Sequence, residues 1–514
     1  MLRQLAQTTT PRPLIRRRLA EERGSLLKQA PLRAALAYPS PYSVGMSSLG
    51  FQWVHRIIQS TEDWSCERVF HPDESVDGLE MAECPVSYES ERPLQEFSLI
   101  AFSVAYELEL PGLLRMLSVS GIPPLREHRD EAFPLVLAGG PLTFSNATTL
   151  TPYVDVILLG EAEGLLPRLL QRIAQSPSRE DLLDDLATYP SVLVPARSAS
   201  MAAKIARAPD DDLPAYSTIV TPNTELANMQ LVEAERGCSR GCTYCVMRRS
   251  TNGGMRIFEA ESVLSRVRDD VTRVGLVGAA VSDHPQIIEI VDRLTARGCK
   301  VGLSSLRPDK LKEPFIAALS RAGYRTLTTA LDGASERIRQ SIDRRGREPH
   351  YEQAAQLARQ YGMEKIKLYL MVGLPGETDA DIDECAEFVG GLSKVIPITL
   401  GISPFCAKRN TPLDGTQFAG VALVQRRLIR LRTKLAGRAQ VRATSARWAW
   451  IEHVLSQGGV EEGRAILSAL QMGGSFRAYR AAFELLGHHP DKAAATGVGG
   501  ASKQKRRVAM APRD

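Results

Sequence analysis

The sequence predicts an α/β chain with two successive parallel-sheet units: an N-terminal doubly wound Rossmann-like domain, then a partial (β/α)6 TIM-like barrel, then a helical C-terminal region. Three observations predict it. Short apolar runs of strand length alternate with helically spaced stretches from about Arg33 to residue 190, and a second such series begins at Met229 and gives six strand–helix units. Beyond about residue 415 the strand-like runs stop, and Arg-rich helical spacing takes over. Short buried strands alternating with helices imply a parallel sheet covered on both faces, and a barrel of such units collects its chemistry at the C-terminal ends of its strands.

Taken in order, residues 1–30 read as a basic, weakly structured lead-in with Arg3, Arg12 and Arg16 to Arg18. The first domain, 31–190, has strand patterns at 34–38, 99–104, 135–138 and 154–159, and a helix pattern at 49–58. Residues 191–228 lose this periodicity and gather Asp210, Asp211, Asp212, Pro214 and Pro222, as a linker draped over both domains would. In the barrel, 229–415, the strand at 229–234 runs into a cysteine cluster, and further strands fall near 271–278, 300–306, 325–331, 366–372 and 397–403. Helices at 285–297 and 351–361 are followed by Gly298 and Gly362, where a left-handed closing residue is needed. Residues 416–490, with Trp448 and Trp450 in an apolar stretch, are a helical domain placed to cap the barrel mouth. The end, 491–514, reads as a disordered basic tail carrying Lys503, Lys505, Arg506 and Arg507.

Composition excludes several classes. A hydrophobic fraction of 44% and a charged fraction of 24% are ordinary globular values, and a net charge of +5 on 514 residues creates no nucleic-acid-binding field. No apolar run reaches the ~18 residues that span a bilayer, and no apolar signal core follows the basic N-terminus, so neither a membrane nor export is expected. Eight cysteines, three of them within eight positions and the rest scattered, suit a reducing cytoplasm better than a disulfide framework.

The crowded three are Cys238, Cys242 and Cys245, in Glu235-Arg-Gly-Cys238-Ser-Arg-Gly-Cys242-Thr-Tyr-Cys245, on a loop at the end of the first barrel strand. Thiolates ligate both zinc and iron–sulfur clusters. A structural zinc takes four ligands, commonly as two spaced pairs, and no second Cys or His pair lies close by. Three thiols can instead hold three irons of a cubane and leave the fourth open to a small molecule.

CxxxCxxC with an aromatic residue, Tyr244, before its last cysteine resembles the signature loop of the radical S-adenosylmethionine (radical SAM) superfamily, over about residues 229–415. The resemblance implies a [4Fe-4S] cluster on Cys238, Cys242 and Cys245, and an open iron that chelates SAM. It also implies an electron donor such as flavodoxin or ferredoxin, and a 5′-deoxyadenosyl radical that abstracts hydrogen from an unidentified substrate. Tyr244 would lie near the adenine. Gly278, in Gly275-Leu-Val-Gly278-Ala-Ala280, stands where the superfamily has a Gly-Gly-Glu turn at the SAM amino group, but here the acid is missing. Ser304, Ser305 and Arg307 end the third strand, where they could bind ribose or carboxylate, and Asp332 follows the fourth. Ser335 and Glu336 read equally well as a helix start, and Gly373-Leu-Pro-Gly-Glu-Thr378 resembles a turn of cobalamin-linked and methylthio-transferring members.

Before the barrel, Tyr38-Pro-Ser-Pro-Tyr-Ser-Val-Gly45, Cys66-Glu-Arg-Val-Phe70 and Ala138-Gly-Gly-Pro141 resemble members with a cobalamin-binding-type domain. No histidine has the Asp-x-His-x-x-Gly spacing of a lower cobalt ligand, so either cobalamin binds without one or the domain has lost it. Cys66 and Cys84 are too few for a second cluster. Cys406, at the end of the sixth strand, is a cavity thiol or a small buried hydrophobe, and His284 is a mouth residue or a satisfied loop histidine. Three functions follow: radical chemistry on an organic substrate, with cobalamin-dependent methyl transfer as one form; methylthiolation of RNA or protein; or a non-catalytic iron–sulfur protein. Oligomeric state and substrate are not legible.

Overall fold

Runs such as Leu-Arg-Ala-Ala-Leu-Ala-Tyr bury both pleat faces, and they build the first sheet. Its strands are β1 (Leu32–Tyr38), β2 (Trp64–Phe70), β3 (Leu99–Ser103), β4 (Leu135–Gly139), β5 (Val156–Leu158) and β6 (Val192–Leu193), in the order β2-β1-β3-β4-β5-β6. All pairs are parallel except β5 with β6. Ala34 and Leu36 pack with Phe51 and Ile58 of the helix Leu49–Ser60. Ala35 and Ala37 pack on the other face with Leu113 and Leu117 of the helix Leu110–Val119, so the domain is doubly wound. The computed structural model describes residues 12–72, 84–197, 204–247, 254–304 and 306–491. Ser305, Arg3 and the tail cations Lys503, Lys505, Arg506 and Arg507 lie outside these.

The lead-in departs from the weakly structured segment expected. Arg12–Ala20 is a helix with Ile15 and Arg18 buried, and Glu22 forms an ion pair at 2.8 Å with the buried Arg68. With one buried apolar side chain the segment has little periodicity to read; tertiary contacts hold it.

The second unit contains β7 (Gln230–Glu233), β8 (Glu235–Gly237), β9 (Met255–Ile257), β10 (Arg273–Val277), β11 (Lys300–Leu303), β12 (Thr326–Asp332), β13 (Lys365–Val372), β14 (Ile398–Pro404) and β15 (Gln440–Ala443). Two parallel sheets, β11-β10-β7 and β12-β13-β14-β15, are joined by the parallel bridge between Leu306 and Thr329, which makes an open barrel wall. The helices Ile287–Ala296 and Glu348–Gln360 end against Gly298 (φ +79°) and Gly362 (φ +71°), the left-handed closures that the sequence predicts. β15 lies inside the region expected to be helical. Only four residues long and alternating in polarity, it gives too short a signal, yet it adds a parallel strand to β14.

The C-terminal helices Ala446–Gln457, Val460–Gln471 and Phe476–Glu484 pack around Trp450, whose ring lies 5.9 Å from those of Phe476 and Phe483. They also dock on the first domain, where Asn146 Nδ2 donates to the carbonyls of Leu455 (2.8 Å), Ser456 (3.2 Å) and Gly458 (2.9 Å). Among the described residues no helix is long and apolar enough to cross a membrane.

Candidate functional site

β8 delivers the cysteine loop to the C-terminal ends of the barrel strands. Cys238, Cys242 and Cys245 line one cavity with Arg240, Tyr244, Ser304, Arg307, Asp332 and Arg344. The cavity volume is about 200 Å³, and the cavity is open to solvent on one side. Cys238 is buried; its Sγ accepts from Arg307 Nη2 at 3.0 Å and from the Arg240 backbone N–H at 3.4 Å. Donors of this kind stabilise a thiolate. Burial pushes the Cys245 thiol up, and the neighbouring Cys242 and Cys238 push it the same way.

Among the described residues no three Cys, His, Asp or Glu side chains are close enough together to hold one metal ion. A cubane asks for something different, because each thiolate ligates a different iron and the sulfurs stand around the cluster. Three thiols facing one cavity, with cationic donors beside them, fit that group.

The structure brings the other sequence-predicted residues to the same place. Ser304 Oγ donates to the Gly278 carbonyl at 2.7 Å, which ties the turn after β10 to the end of β11. Asp332, at φ +63° where the β12 register shifts, forms an ion pair at 2.7 Å with Arg344. Burial raises the Asp332 carboxyl against the pull of Arg344, and burial together with Asp332 raises the Tyr244 hydroxyl. The acid missing from the turn after β10 has a neighbour instead: Glu235 is buried against Gly278 and accepts from the Ala280 N–H at 2.5 Å through Oε1. Its Oε2 has no hydrogen-bond partner among the described residues, and burial pushes its carboxyl up to about 7.

Other candidates sit elsewhere. Cys406 donates to the Ala449 carbonyl at 3.1 Å and does not line the cavity. His284 is a satisfied loop histidine: Nε2 lies 2.8 Å from the Phe258 carbonyl, and Nδ1 accepts from the Gln286 N–H. Ser335 caps the helix Glu336–Ser341 by accepting from the Ile338 N–H. Glu377 accepts from the Gly373 N–H and from Arg427, both at 2.8 Å, so this turn anchors a helix. Cys66 is in the core and Cys84 meets Ser120, with no cluster between them among the described residues. Sequence reasoning missed Glu235, Arg240, Thr328, Arg344 and Tyr369. The signal for Thr328 was its alternation with Asp332 on one face of β12.

In an open sheet of this order a ligand enters at the switch point, between the loops after β1 and β3. Here the chain fills that crevice. Glu109, 2% exposed, accepts from Ser40 Oγ at 3.0 Å and from the Ala105 N–H at 2.6 Å. A Cβ on Gly112 would lie 2.3 Å from the Pro39 carbonyl oxygen, so the next helix sits directly on the β1 loop. These residues do not fit a cobalamin inserted between the two loops.

Residues 50–195 match the family described as radical SAM proteins, N-terminal, and residues 232–389 match the radical SAM superfamily. An uncharacterised protein of Methanocaldococcus jannaschii is 26% identical over 398 residues, covering 75% of this chain and 79% of that protein. A tRNA-2-methylthio-N(6)-dimethylallyladenosine synthase of Salinispora arenicola is 25% identical over 257 residues, covering 46% of this chain and 45% of its own length. In fold, the chain is similar to the radical SAM methyltransferase TsrM of Kitasatospora setae, solved with cobalamin and a [4Fe-4S] cluster. That likeness has a TM-score of 0.50 and 12% identity, covering 77% of this chain and 75% of that one.

Proposed function

Because the chain belongs to the radical SAM superfamily, whose members use a [4Fe-4S] cluster, SAM and an external electron donor, we propose that its cavity cleaves SAM to start radical chemistry on an organic substrate. The observation that carries this reading is the cavity itself. Cys238, Cys242 and Cys245 line it at the C-terminal ends of parallel strands, with Arg307 on the Cys238 sulfur. The cluster, when bound, supplies the electron that splits SAM into methionine and a 5′-deoxyadenosyl radical. The three cysteines would hold three irons of the cluster, and Arg307 and the Arg240 N–H would stabilise the charge on Cys238. Gly278 and Ser304 shape the turn that receives the methionine end, with Glu235 fixing that turn through Ala280. Tyr244 and Asp332 border the nucleoside. No step here runs through cobalamin, since Glu109 closes the crevice in which it would insert.

The test is anaerobic reconstitution with iron and sulfide, followed by SAM and dithionite and an assay for 5′-deoxyadenosine. Formation that is lost in Cys242→Ala is expected. A colourless protein that holds zinc and makes no 5′-deoxyadenosine would sink the reading. A cobalt spectrum retained after incubation with hydroxocobalamin would redirect it to methyl transfer.

A further inference from the structure

Along β13 the residues Ile366, Leu368, Leu370 and Val372 are buried against the outer helices, so Lys365, Lys367, Tyr369 and Met371 turn to the inside of the barrel wall. Parallel register sets Lys367 beside Thr399 and Gln440, and Tyr369 beside Gly401 and Arg442. Residues in such a row share a face, so Arg442 stands two strands from Tyr369, about 10 Å away. Gly401 lies between them. A Cβ there would come within 3.2 Å of the Tyr369 ring, so the glycine leaves room for the ring to lie flat over β14. The ring is 44% exposed, Lys367 Nζ lies 4.7 Å from its centroid, and the same tyrosine lines the cysteine cavity.

The charge on this wall has one sign. The inner positions of β12 to β15 carry Lys365, Lys367 and Arg442, and their single acid is Asp332 at the rim, already paired with Arg344. Among the described residues neither Lys367 nor Arg442 has a carboxylate partner. Unopposed cations on a concave wall focus potential on an incoming anion. From this we infer that the inner face of β13 to β15 binds an anionic group of the substrate, a carboxylate or a phosphate, with Lys367 and Arg442 as its anchors. The inference rests on the radical SAM reading of the cavity above it: an acid held there presents the rest of the molecule past Tyr369 toward the cysteines.

The experiment uses the reconstituted, SAM-loaded protein and fluorine NMR with three probes: 4-fluorobenzoate, 4-fluorophenyl phosphate and the neutral 4-fluorobenzyl alcohol. At least one acid should bind more tightly than the alcohol and lose about tenfold in affinity in each of Lys367→Gln and Arg442→Gln, the loss of one charge-assisted contact. Lys367→Arg, which keeps the charge, should stay within about threefold of wild type, and Arg293→Gln on an outer helix should change nothing. Acid affinity in the two Gln variants equal to that of wild type, or an alcohol that binds as tightly as the acids, would overturn the inference. The Gln variants should still make 5′-deoxyadenosine with dithionite, since neither residue lines the SAM cavity. A wild-type protein that binds the acids but makes none would refute the SAM reading and leave the anion site standing.

Discussion

Adding one methyl group at residue 278 tests how the turn after β10 is held. In Gly278→Ala the new Cβ would lie 2.3 Å from Glu235 Oε1, 2.7 Å from Cδ and 2.9 Å from Cγ. Glu235 cannot swing aside freely, because it is 1% exposed and its Oε1 accepts from the Ala280 N–H at 2.5 Å. Overpacking of this kind costs about 1–3 kcal/mol, and a displaced carboxyl would forfeit a hydrogen bond worth about 1 kcal/mol more, so a local loss of about 2–4 kcal/mol is expected. Native-state hydrogen exchange over residues 275–281 against urea reads that local stability. Glu235→Ala removes the atoms that clash. The double variant should therefore lose less than the sum of the two single variants, with a coupling of at least about 1 kcal/mol. Gly278→Ala should also weaken SAM binding, and the double variant should regain part of it. A Gly278→Ala protein within about 0.5 kcal/mol of wild type, with no coupling to Glu235, would refute the reasoning.

His55 predicts a pH dependence. Burial, then the nearby Arg68, lowers its pKa to about 3. The unfolded chain takes up this proton near pH 6.5 and the folded one does not, so stability is full above that value and falls as pH drops from 6.5 toward 3. The loss at pH 5 is about 2 kcal/mol from this group alone. His55→Leu should lose correspondingly less stability between pH 7.5 and 5 in urea titrations; equal losses in both proteins would contradict this. Asn146 predicts a docking energy: Asn146→Ala leaves the carbonyls of Leu455, Ser456 and Gly458 without their shared donor, at a cost of about 2–4 kcal/mol. Limited proteolysis of residues 440–490 should accelerate, and unchanged cleavage would show that the helices dock by other contacts.

What the sequence made legible was local. Alternating apolar runs located the strands, Gly298 and Gly362 marked two helix ends, and the spacing of Cys238, Cys242 and Cys245 gave the loop, because each signal sits within a few consecutive residues. What it hid came from contacts distant in the chain. A motif search at 275–280 finds no acid, yet Glu235, on a different strand, fills the space beside Gly278. Cys406 follows the end of β14, but its thiol turns to the Ala449 carbonyl of a C-terminal helix. The helix at Arg12–Ala20 and the strand at Gln440–Ala443 were invisible for the same reason, since each depends on a partner rather than on its own periodicity.

The two flanking regions supply none of the described residues that line the cysteine cavity, all of which fall between Cys238 and Tyr369. One hold is on β8, where Arg236 lies 2.8 Å from Glu163 of the first domain, and another is on the segment that follows β14. Lys408 Nζ lies 2.6 Å from Glu107 of the first domain, 2.8 Å from Glu452 and 3.1 Å from Ser456 Oγ of the C-terminal helix, and Ser456 Oγ donates to Glu107 at 2.9 Å. Breaking a buried pair is costly even where forming it gains little, so such a knot fixes geometry more than it adds stability. Five residues on, the Leu413 N–H donates to the carbonyl of Thr243, between Cys242 and Cys245. One short stretch of chain therefore links the packing of three regions to the backbone of the cysteine loop. A shift of the first domain against the barrel would reach the cysteine loop from both ends, through Arg236 just before Cys238 and through Leu413 at Thr243.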